Sequence, residues 1–98
     1  MSTATGAART EVSHIETPTV TLAPGESHDF PTWVFKATTV NFKSLGGPCP
    51  WVITQLGAQV ASGTTPPQNS CTGNFDGIAI GVTNASGPGG PNLEVNTV

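Results

Sequence analysis

Apolar and polar residues alternate in short runs along this chain, and no run carries the three-to-four spacing of a helical stripe. Val20 and Leu22 alternate with Thr19 and Thr21, and Ala23-Pro24-Gly25-Glu26 closes that run with a turn. Trp33 to Lys43 is the longest apolar region. Trp33, Phe35 and Ala37 share one parity, whereas Val40 and Phe42 fall on the other. A strand cannot change parity without an extra residue, so the pattern predicts a bulge or bend at Thr38-Thr39.

Trp51 to Leu56 reads as a buried strand, apolar on both faces through Trp51/Ile53 and Val52/Leu56. Gln59 to Ser62 is its expected hairpin partner across Gly57-Ala58. Gly63 to Asn74, with Pro66-Pro67, reads as loop. Ile78, Ile80 and Val82 alternate with Ala79, Gly81 and Thr83, a strand with one small face. A Gly/Pro loop from Asn84 to Pro91 precedes a last alternating run, Leu93 to Val98. About seven short strands with regular turn signals predict an all-β protein: a small antiparallel β-sandwich, immunoglobulin-like or jelly-roll-like, with an open barrel as the alternative.

Residues 1–17 differ from the rest. Met1 to Ala8 is small and polar, and Thr10 to Ile15 is only weakly apolar. The division expected is an N-terminal arm, 1–17, and a sandwich domain, 18–98. Ninety-eight residues suit one domain with a modest core. The arm either stays disordered or adds an edge strand to a neighbouring subunit through Val12, His14 and Ile15. A head-to-tail contact of that kind closes a ring or propagates as a filament.

Composition sharpens this picture. Only 9% of the residues are charged, and from Ser44 to Val98 the only charges are Asp76 and Glu94. An ordinary domain carries about 25%. Polarity comes instead from Thr, Ser, Asn, Gln, Gly and Pro, a surface that packs on another copy or on sugar hydroxyls without desolvating ions. The three bases, Arg9, Lys36 and Lys43, form no cluster, so no nucleic-acid partner is expected. The opening residues contain no apolar signal region and no stretch is long enough to span a bilayer, so neither a signal peptide nor membrane insertion is expected. An extracellular appendage or particle surface is the favoured location.

Catalytic and metal chemistry find little footing. His28 and Asp29 are neighbours and point to opposite faces of a strand, and a set of Ser27, His28 and Asp76 has no supporting motif. Asn74-Phe-Asp76-Gly77 reads as a turn capped by its own side chains, not as a calcium loop. No enzyme activity, metal or cofactor is expected. Cys49 and Cys71 lie beside turn residues, and an intramolecular disulfide is expected, with an inter-subunit bond or free thiols as alternatives. Asn84-Ala85-Ser86 matches the glycosylation sequon.

Two functions follow. The first is a non-enzymatic structural subunit, a fibre, appendage or coat protein that self-assembles or decorates a larger particle. The alternative is a small oligomeric carbohydrate-binding module or lectin, with Trp33 stacking on a sugar ring and Asn74, Asp76 and Asn84 bonding its hydroxyls. Trp51, beside Cys49, is expected in the core.

Overall fold

A computed structural model describes residues 18–98 as an all-β protein of two antiparallel four-stranded sheets. The expected arm, with Val12, His14 and Ile15, lies outside the described residues. The strands are β1 (Val20–Leu22), β2 (Ser27–Phe30), β3 (Thr38–Ser44), β4 (Cys49–Gln55), β5 (Ala58–Thr65), β6 (Ser70–Gly73), β7 (Ile80–Asn84) and β8 (Leu93–Thr97). Among the described residues there are therefore eight strands, one more than the turn spacing suggests.

One sheet runs β1-β8-β3-β6 and the other β2-β7-β4-β5. The pairing is nested. β4 and β5 form the innermost hairpin, and β3–β6, β2–β7 and β1–β8 pair outside it in turn. The chain is thus one long hairpin whose tip is Leu56-Gly57, folded so that successive pairs fall alternately in the two sheets.

Alternation within each strand decides what lies between the sheets. Val40 and Phe42 of β3, Trp51 and Ile53 of β4, Ile80 and Val82 of β7, and Leu93 and Val95 of β8 are all buried. Phe42 and Trp51 stack across the sandwich, with ring centroids 4.1 Å apart and planes within 10°. Such a pair adds about 0.5–1.5 kcal/mol beyond the area it buries. Gly63, opposite Trp51 on β5, makes room for it, because a Cβ there would lie 2.5 Å from the indole. The indole N–H donates to the Gln68 carbonyl at 3.0 Å.

Several expectations need correction. Trp33 to Ala37 is loop, not strand, and β3 begins at Thr38. The parity change is absorbed where the chain crosses from one sheet to the other, with the Trp33 N–H donating to the Thr38 hydroxyl at 2.8 Å. The register irregularity falls instead between β4 and β5, beside Ile53 and Thr54. Gly63 to Asn74 is not one loop: β5 continues to Thr65, and Ser70–Gly73 pairs with β3. The inward Gly63 hides the second half of β5 because Trp51 occupies the space it leaves. Ile78 is exposed outside β7, and the buried alternation runs Ile80, Val82, Asn84.

The hairpin turn is Leu56-Gly57, between Gln55 and Ala58, and not Gly57-Ala58. Both of its residues have positive φ, 53° and 80°, as a two-residue type I′ turn requires. Leu56 is consequently exposed and does not form a second apolar face of β4. Cys49 and Cys71 are free, so the expected disulfide is absent.

Candidate interaction site at one end of the sandwich

The antiparallel register gathers the β2–β3, β4–β5 and β6–β7 loops at one end of the molecule. Phe30 pairs with Ile80, Thr54 with Gly81 and Thr38 with Gly73, so these strands start or finish side by side. β8 finishes and β1 starts at the same end, where Val20 faces Val95. The loops are tied together by backbone groups. The Gly77 N–H donates to the Trp33 carbonyl at 2.9 Å, the Thr32 hydroxyl donates to the Ile78 carbonyl at 2.9 Å, and the Gln55 amide donates to the Phe75 carbonyl at 2.8 Å.

Three of the proposed ligand residues meet here. Trp33 is half-buried, with the Lys36 ammonium 4.2 Å from its ring centroid, a cation–π contact. Asn74 and Asp76 are exposed on the β6–β7 loop, where the Asp76 N–H donates to the Asn74 side-chain oxygen at 3.1 Å. Asp76 has φ of 58°, a left-handed turn position that Asp tolerates. Trp33, Val34, Phe35 and Lys36 line an open hollow of about 210 Å³. That is smaller than the roughly 300–1,000 Å³ of ordinary small-molecule sites. The end is better described as a protruding surface than as a pocket.

Asn84 does not join them. It sits at the far end of β7, fully buried, and its side chain is committed inside the protein. Its amide donates to the carbonyls of Leu22 and Pro91, both at 2.9 Å. Its oxygen accepts from the Cys49 thiol at 3.2 Å, the Ser86 N–H at 3.0 Å and the Ser86 hydroxyl at 2.6 Å. No surface remains for a sugar hydroxyl, nor is the amide available to carry a glycan. Asn84 ties the β1 end, β4 and the loop after β7 into one polar knot.

The other candidates are placed as follows. Burial raises the thiol pKa of both cysteines above the ordinary value, and for Cys49 the contact with Ser86 partly offsets the rise. Both thiols are therefore protonated at neutral pH. His28 is exposed and packs edge-on against Phe30, with centroids 4.9 Å apart. Ser27 and Thr83 share a hydrogen bond of 2.6 Å on the outer face of their sheet. Among the described residues, no three His, Cys, Asp or Glu side chains cluster to hold a metal ion.

The apolar character of this end is what the sequence pattern concealed. Phe35 is 96% exposed and Leu56 is 82% exposed, each at the tip of its connection. Gln-Leu-Gly-Ala flanked by strand residues was the available signal for a two-residue turn. No protein-family model, curated protein or solved structure matches this chain.

Proposed function

We propose that this chain is a non-enzymatic structural subunit that associates with copies of itself, as a fibre, appendage or coat protein does, with residues 1–17 reaching a neighbouring subunit. The nested strand pairing supports reading the sandwich as a jelly roll rather than an immunoglobulin-like fold. Fold alone does not assign function. The observation that carries the proposal is the chemistry of the two outer faces.

Thr39, Asn41, Thr72 and Asn96 cover one sheet, and Ser27, Thr54, Ser62 and Thr83 surround a half-buried Val52 on the other. Charge is confined to Lys43 and Glu94, which are direct cross-strand partners, and to Asp29. Bringing a charge out of water costs several kcal/mol unless it is paired, whereas neutral hydroxyls and amides exchange water for protein partners at little cost. Such faces lose little when another subunit covers them.

Deleting residues 1–17 tests the arm. Smaller, still folded species than those of the full chain support the proposal, and unchanged large species contradict it. Trp33, Asn74 and Asp76 at one end are what favours the second reading, carbohydrate binding. There, glycan-array binding abolished by Trp33→Ala is the expected result, and no binding to any glycan removes it.

A further inference from the structure

Among the described residues, five of the seven exposed large apolar side chains, Val34, Phe35, Leu56, Ile78 and Val98, lie at the end where the β2–β3, β4–β5 and β6–β7 loops meet. Val60 lies in β5 just beyond the Leu56-Gly57 turn, and Leu45 alone belongs to the opposite end. We infer that this apolar end is a self-complementary interface, seated against the same end of a second copy of this chain. The inference rests on the proposed self-association and adds a contact surface distinct from the two outer sheet faces.

Two residue choices there work against the isolated molecule. Leu56 occupies a left-handed position, φ 53°, where its Cβ crowds its own carbonyl, a conformation that Gly adopts freely and that Asn or Asp tolerates through local hydrogen bonding. Its side chain then points into water, as does that of Phe35. Backbone strain and exposed apolar surface at one place are the pattern of a contact site.

The charges fit a two-fold partner. The connecting loops at this end carry one side chain of each sign, Lys36 and Asp76. In an isologous contact each surface meets its own image, so a patch of one sign repels itself, whereas one with both signs can match Lys36 of one copy to Asp76 of the other.

The sheet edges are poorer candidates. β5, the longest edge strand, has its register broken beside Ile53 and Thr54, and Gln68 occupies the outer backbone groups of Thr64. The Thr64 N–H donates to the Gln68 side-chain oxygen at 2.8 Å, and the Gln68 N–H donates to the Thr64 carbonyl at 2.9 Å. A bulge and a clamped edge both discourage strand addition. The other edges, β1, β2 and β6, are only three or four residues long.

The test compares the full 98-residue chain with Phe35→Ser/Leu56→Asn and with Leu45→Ser, by sedimentation equilibrium over a wide concentration range. Both substitutions in the double variant fall on exposed side chains, Asn suits the turn, and circular dichroism verifies that each variant is folded. The expected result is self-association weakened roughly 100-fold or more by the double variant and unchanged by Leu45→Ser. Association of equal strength in wild type and double variant overturns the inference while leaving self-association standing. A wild-type chain that stays monomeric throughout overturns both. Binding of that monomer to phosphatidylcholine vesicles, lost in the double variant, reassigns the end to lipid.

Discussion

The Cys49 thiol donates a hydrogen bond to the Asn84 side-chain oxygen across 3.2 Å, joining β4 to β7 inside the sandwich. This pair replaces the crosslink that the two cysteines suggest. Cys49 is spent on an internal polar knot, and Cys71, in the other sheet, is free as well. Adding reductant to the purified protein should therefore leave its melting temperature unchanged. Breaking a disulfide across such a loop would instead remove roughly 3 kcal/mol.

Removing Asn84 should be far more damaging. Asn84→Ala takes the amide donor from the Leu22 carbonyl, leaves the Pro91 carbonyl only the Ser86 hydroxyl at 3.3 Å, and leaves the Cys49 thiol only the Pro50 carbonyl at 3.7 Å. Each buried unsatisfied group costs about 1–3 kcal/mol, so the net loss expected is about 2–4 kcal/mol. Urea denaturation measures it directly.

Gly63 is fixed by the ring it faces. Gly63→Ala drives a methyl group into Trp51, which in turn stacks on Phe42. Overpacking of this kind costs about 1–3 kcal/mol. Denaturant melts combined with a shift in tryptophan emission would reveal both the loss and its location.

Leu56→Asn should raise stability by about 0.5–1 kcal/mol, because Asn tolerates the left-handed turn conformation that Leu resists. Measured by thermal melting of the dilute protein, this gain separates the strain at Leu56 from any role in association.

Alkaline pH should weaken the fold through its thiols. Both cysteines have raised pKa values in the folded protein because burial disfavours the thiolate. The unfolded chain loses these protons first, so stability is complete below the ordinary thiol value of 9.0 and falls as pH rises through it towards the folded values. The Cys49→Ala/Cys71→Ala variant should lose that dependence, which melts between pH 7 and 10 would show.

Much of the sandwich was legible in the sequence, since Val40/Phe42, Trp51/Ile53, Ile80/Val82 and Leu93/Val95 alternate as their burial does. The segments that misled are those where another force overrides alternation. Trp33 and Phe35 alternate like a strand but lie on a crossover loop between sheets, held by Thr38 and Gly77. Gly63 looks like a loop residue because its smallness serves Trp51. Asn84 reads as a surface ligand or sequon because a polar residue in a turn-rich stretch normally faces water. Its burial depends on carbonyls from Leu22 and Pro91, which no local pattern exposes.

The measurement that bears most directly on this account is the native mass of the full chain by light scattering, followed from micromolar to millimolar concentration. Self-association predicts species larger than one chain, growing with concentration. A mass that stays at one chain across that whole range would contradict it.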